Sequence, residues 1–135
     1  MTNPKLPRDY LIRSRKRLKA IALLLDEEAF PDVVRESQEV VELLLEAVLR
    51  SFGIPVPFSH DVSEILEAHA SRLPPAAQGH LPRWARISRH LRKDRELAFY
   101  GSEDVTPSTS YSRADADEAK AMAEDVLATA EPWIT

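Results

Sequence analysis

Apolar residues recur at helical spacing along most of the chain, most densely from Asp32 to Arg50. That stretch, DVVRESQEVVELLLEAVLR, has no glycine and no internal proline, and it is rich in the good helix formers Glu, Leu, Ala and Arg. At roughly 100° per residue, Val33, Val40, Val41, Leu44, Ala47 and Val48 fall together, and Leu43, Leu45 and Leu49 widen the face on both sides. Arg35, Glu39, Glu42, Glu46 and Arg50 form a narrow opposite stripe, which sets Glu39, Glu42 and Glu46 toward solvent. A surface helix needs an apolar arc of roughly 100°, and this one is nearly twice as wide. The pattern predicts a central helix covered on two or three sides, with the same face available for a subunit contact.

The other elements are read around it. Pro4 and Pro7 mark a loose lead-in over residues 1–7. A first helix is predicted from about Arg8 to Glu28, with Leu11, Leu18, Ile21, Ala22 and Leu25 on one face. Phe30-Pro31 breaks it, and Pro31 suits the first turn of the central helix, which ends at Gly53. Ile54-Pro55-Val56-Pro57 reads as extended, because each proline disfavours the helical region in the residue before it. Ser59-His60-Asp61 opens a short third helix, with Asp61 and Glu64 placed as a capping box and Val62, Ile65, Leu66 and His69 inward. Pro74-Pro75 ends it. The fourth helix begins after Gln78-Gly79-His80 and ends near Tyr100-Gly101. A polar loop over 101–112 follows. Ser112 and Asp115 cap a fifth helix, Arg113 to about Ala130, which carries Ala116, Ala119, Met122, Ala123, Val126 and Leu127 inward until Pro132 stops it. The expected fold is all-α, one domain over 1–135, with five helices in an up-and-down bundle around a four-helix core.

Composition narrows the chemistry. The chain has no cysteine, which excludes disulfides, thiolate nucleophiles and cysteine zinc sites. No apolar run approaches the roughly 20 residues of a membrane span, and no signal-type core follows the basic start; a cytoplasmic protein without membrane contact is expected. The net charge of −4 argues against a constitutive DNA binder, but the charges are unevenly spread. Lys5, Arg8, Arg13, Arg15, Lys16, Arg17 and Lys19 crowd the start, and Arg83, Arg86, Arg89, Arg92, Lys93 and Arg95 crowd a second stretch. Each zone is either a polyanion site or a face paired with the acidic helices.

The fourth helix is the most informative. Trp84, Ile87, Leu91 and Ala98 form its apolar stripe, and the wheel puts Asp94 and Arg95 on the same stripe, where charges are costly unless paired or set in a groove. Asp94 and Arg95 are therefore either a site or a structural ion pair. Arg92 and Arg95 can share such a site with Tyr100, whereas arginines three apart spiral around the helix and cannot all meet one linear polyanion. No two of His60, His69, His80 and His90 have metal-holding spacing, and there is no glycine-rich phosphate loop. No metal and no cofactor are expected.

Three blocks, taken in order, resemble the HEPN domain family (higher eukaryotes and prokaryotes nucleotide-binding) from about Tyr10 to Leu127. Ser37-Gln38-Glu39-Val40-Val41-Glu42-Leu43-Leu44-Leu45-Glu46-Ala47-Val48-Leu49 is similar to its Q-x-A-x-E-x-x-L-K-A pattern, with Glu46 where the family often has Lys. His60-Asp61-Val62-Ser63-Glu64-Ile65-Leu66 is similar to its H-x-(I/V)-x-x-L-L. Arg95 to Gly101, with Pro107 and Tyr111 downstream, makes the third. The resemblance implies a helical bundle, a homodimer, and an RNA- or nucleotide-directed role in a toxin–antitoxin or defence-like pair with a minimal nucleotidyltransferase.

Nucleolytic members carry R-x(4-6)-H late in the chain, the two motifs facing across the dimer. Here Arg95 stands about where that arginine belongs, but Tyr100 stands five residues on and no histidine follows it. Cleavage at a 2′-OH needs a base of near-neutral pKa, which histidine supplies and tyrosine, ordinarily near 10, does not. Arg83 and His90 fit R-x6-H but lie earlier, about 10 Å apart along one helix. The resemblance thus implies catalytic candidates Arg95 and Tyr100, with Arg83 and His90 as a weaker pair, and the charged positions of the fourth helix add Arg92 and Asp94 to Arg95 and Tyr100 as candidate RNA or nucleotide contacts. A degenerate ribonuclease and a non-catalytic helical scaffold for a partner both remain open.

Overall fold

A computed structural model describes residues 3–57, 61–93, 98 and 100–135. Among these the chain is all-α, with no strand. The helices are α1 (Leu6–Asp26), α2 (Phe30–Ser51), α3 (Val62–Ala68), α4 (Pro75–Gln78), α5 (Leu81–Lys93), α6 (Pro107–Ser110) and α7 (Arg113–Ala130). Short 3-10 turns cover Ala70–Arg72 and Glu131–Trp133. The five long periodic segments of the sequence are α1, α2, α3, α5 and α7. α4 and α6 are single turns, each started by a proline in its first turn, in stretches with too few residues for periodicity to register. α1 also starts earlier than predicted. Pro7 is not in a loose lead-in but buried in the first turn of the helix, where its missing N–H costs nothing.

α2 is the axis of the bundle. It packs on α1, α5 and α7, and more lightly on α3. Val40, Leu44, Leu45, Val48 and Leu49 are fully buried. The wide apolar arc is therefore consumed inside one chain by three neighbours, and it leaves no bare apolar face on α2 for a second copy.

The charged stripe of α2 departs from the reading given above. Glu39, Glu42 and Glu46 are half-buried rather than solvated. Arg17 of α1 reaches Glu39 and lies 3.4 Å from Glu36, while Arg35 lies 3.0 Å from Glu36 and 3.4 Å from Glu39. Glu42 accepts a 3.0 Å hydrogen bond from the buried Gln38 amide, and Glu46 pairs with Arg50 at 3.0 Å. With helices on three sides, the stripe lies in the seam between neighbours, and its charges need partners there.

Two helix ends share one motif. After α1, Ala29 N–H donates to Leu24 O and Glu28 N–H to Leu25 O; after α2, Ile54 N–H donates to Leu49 O and Gly53 N–H to Arg50 O. These are Schellman ends, whose C′ residue takes the left-handed conformation. Gly53 does so at φ 72°, as glycine permits, but Glu28 does so at φ 58° as a non-glycine residue. α3 is capped by Asp61, which accepts from Ser63 N–H at 3.0 Å, so the cap is made with Ser63. The predicted Ser112–Asp115 capping box on α7 is present in both directions.

Candidate functional site

α5 reads LPRWARISRHLRK, and its stripe at Trp84, Ile87, Ser88 and Leu91 is buried. Its upper part is fixed by Trp84, whose indole N–H donates to Thr129 Oγ1 at 2.8 Å while His80 stacks on the ring at 5.5 Å. The cations on the remaining faces each meet a different neighbour. Arg83 Nε lies 2.9 Å from Asp125 on α7, and Arg89 pairs with Glu67 on α3. Arg92 lies 3.5 Å from Glu42 on α2 and 3.8 Å from Asp61 at the start of α3. His90 Nε2 lies 3.2 Å from Glu118 Oε1 on α7. For Arg83, Arg89 and Arg92, the structure thus chooses the paired alternative for the second basic zone: they fasten α5 to acidic helices. The spiral that keeps these arginines off one linear ligand lets them reach several helices.

At the lower end of α5 a small cavity of about 120 Å³ is lined by Val34, His90, Leu91, Tyr111, Asp115, Glu118 and Ala119. That is room for several waters or a small polar group. The wall is acidic on the α7 side, where Asp115 is held by the cap with Ser112 and Glu118 by His90. Such a wall repels phosphate and accepts hydrogen bonds from amino groups or cations. Tyr111 is 8% exposed and closes the cavity where α6 meets α7. Beyond Lys93, Ala98 is buried and Tyr100 is 75% exposed. Gly101 then turns the chain at φ 76°; a Cβ there would lie 2.7 Å from Val105 O. The turn needs glycine on both counts.

Besides the exposed Tyr100, the residues that the sequence singles out fall into three groups. Arg92 and His90 are on the last turns of α5, and His90 borders the cavity. Arg83 is two turns up the same helix with its own partner, Asp125, so Arg83 and His90 do not converge. Asp94 and Arg95 lie outside the described residues, as does His60. Sequence reasoning did not connect Val34, Asp115 and Glu118 with α5, because a wheel gives the direction of a side chain and not the helix it meets.

The family model for the HEPN domain matches residues 7–133, nearly the whole chain. The chain belongs to the HEPN domain family. The all-α bundle agrees with that assignment, and membership points to a nucleotide- or RNA-related role for this HEPN protein. No curated protein and no solved structure is detectably similar to it. No helix among the described residues is long and apolar enough to cross a membrane, and no group of three or more His, Asp or Glu among them could hold a metal ion.

Proposed function

We propose that this HEPN protein binds RNA or a nucleotide through Arg92 on the last turn of α5 and the segment that follows it, rather than in the acidic cavity. In this reading it acts as a homodimer paired with a minimal nucleotidyltransferase, in a toxin–antitoxin or defence-like system. The observation that carries the reading is the match of the HEPN model to residues 7–133. Arg95 is the proposed anchor. A guanidinium holds a phosphate through two parallel hydrogen bonds, which lysine cannot reproduce. Tyr100, largely exposed, supplies a ring for stacking on a base and needs no proton transfer to do so. Arg92 contributes positive charge nearby, although a direct phosphate contact would compete with Glu42 and Asp61. With no histidine after Arg95, any ribonuclease activity of this site is degenerate.

The test is binding of short RNA and of nucleoside triphosphates to the wild type and to Arg95→Lys. The expected result is a folded variant with binding reduced at least tenfold. Unchanged binding with a much lower melting temperature would make Arg95 a structural ion-pair partner and end the reading. A second reading, a non-catalytic scaffold for a partner protein, is favoured by the ion pairs of Arg83, Arg89 and Arg92, which give part of the basic segment a structural task. Absence of RNA or nucleotide binding at low salt would decide for it.

A further inference from the structure

The two basic zones of the sequence have different fates in the fold. Those arginines of α5 that have partners spend their charge on α2, α3 and α7. On α1 the cations are sorted by face. Arg15 and Arg17, on the flanks turned toward the bundle, pair with Glu131 and with Glu36 and Glu39. Arg8, Arg13, Lys16 and Lys19 are exposed, as is Lys5 just before the helix, and no acid among the described residues pairs with any of them. Arg13 instead lies 5.8 Å from the Tyr10 ring. Asp9 is the lone acid among these five cations, and the stripe stops at Asp26 and Glu27. A protein with net charge −4 thus carries, on one outer face, a run of cations that none of the described acids pairs with.

We propose that the outer face of α1 is a second RNA-contact surface, which binds the phosphate backbone without reading bases. The inference rests on the RNA reading above and adds a separate place of contact. The geometry suits a linear polyanion. At 1.5 Å per residue, Lys5 to Lys19 spans about 21 Å, and Arg8, Lys16 and Lys19 fall within roughly 80° of the wheel. Three of the five are lysines, which act as point charges rather than planar forks. The exposed large apolar residues on α1 are Ile12 and Leu23, at 42% and 62%, so the strip has no exposed aromatic platform for stacking. Those two side chains are also little with which to enter a bilayer, because the helix's apolar face, with Leu11 and Ile21, is already buried in the bundle. A phosphate backbone is therefore favoured over a lipid surface.

The experiment is fluorescence anisotropy with a labelled single-stranded 20-nucleotide RNA of mixed sequence, at several salt concentrations. Three full-length variants are compared with the wild type. Lys16→Gln/Lys19→Gln removes two charges from the strip. Arg72→Gln/Arg86→Gln removes two exposed charges elsewhere on the surface that have no acid partner among the described residues. Arg95→Lys reports on the α5 end. Loss of two phosphate contacts should lower the magnitude of the log K–log[salt] slope by about 1.4 and weaken binding roughly ten- to thirtyfold near 0.1 M salt. The expected result is that Lys16→Gln/Lys19→Gln shows this, with an unchanged melting temperature, while Arg72→Gln/Arg86→Gln stays within about twofold of wild type. An equal loss in both double variants, or in neither, overturns the α1 surface. If Arg95→Lys abolishes binding and Lys16→Gln/Lys19→Gln does not weaken it, only the α1 surface falls. If the wild type binds no RNA at low salt, the RNA reading falls and takes this surface with it. Binding to phosphatidylserine vesicles that the strip variant loses, with RNA binding intact, would assign the face to a lipid surface instead.

Discussion

Single residues on α2 separate three kinds of burial. Leu44 is fully buried at the centre of the helix, so Leu44→Ala should cost about 2–5 kcal/mol through lost transfer energy and a cavity. Glu42, which the wheel set toward solvent, holds the amide of Gln38, a side chain only 1% exposed. Glu42→Ala leaves that buried donor without its acceptor and should cost about 1–3 kcal/mol. Ser37 is fully buried and its hydroxyl has no hydrogen-bond partner among the described residues, so Ser37→Ala should fall within about 0.5 kcal/mol of wild type or slightly stabilise. Urea titrations should give that order, and a silent Glu42→Ala would mean that the seam around α2 is open to water. The inward positions of α2 were legible because one periodicity runs through the whole helix. The role of Glu42 was not, because the Gln38–Glu42 pair is buried only by neighbouring helices, whose positions no local pattern encodes.

Helix ends carry a prediction of their own. Glu28 and Gly53 hold equivalent positions in the two Schellman motifs, and an L-residue pays about 1–2 kcal/mol for the left-handed conformation. Glu28→Gly removes that strain but also an exposed contact to Arg113 at 3.6 Å and some unfolded-state restriction. The net expectation is a gain of up to about 1 kcal/mol. Gly53→Ala should lose about 1 kcal/mol through the backbone alone, since a Cβ there meets nothing within 4 Å. Gly101→Ala should lose more, because its Cβ also strikes Val105 O at 2.7 Å. Melting temperatures that shift in the same direction for Glu28→Gly and Gly53→Ala would contradict this account. Gly53 was readable as a helix end because glycine announces the conformation. Glu28 reads as the end of the helix because glutamate is a good helix former and gives no sign of a left-handed backbone.

Across the whole molecule, the order of the long helices was legible in the sequence and their pairing was not. The wide arc of α2 suits three intramolecular neighbours as well as a dimer, and the fold assigns it to α1, α5 and α7. The expectation of a homodimer therefore rests on the family alone, and light scattering decides it. A mass of two chains at micromolar concentration is expected, and a concentration-independent mass near 15.2 kDa would refute it. The long central contact has one more consequence, which concerns synthesis. α2 is complete at Ser51, but α7, which covers one of its flanks, ends only at Ala130, roughly 80 residues later. At about 5–20 residues per second the ribosome needs roughly 4–16 s to deliver it, whereas an α1–α2 hairpin closes far faster than that. For those seconds a nascent chain presents a helical pair with an open groove. On a crowded polysome the last helix of a neighbouring chain fits that groove as well as the chain's own, so exchange of α7 between copies is the misassembly to which this topology is most exposed.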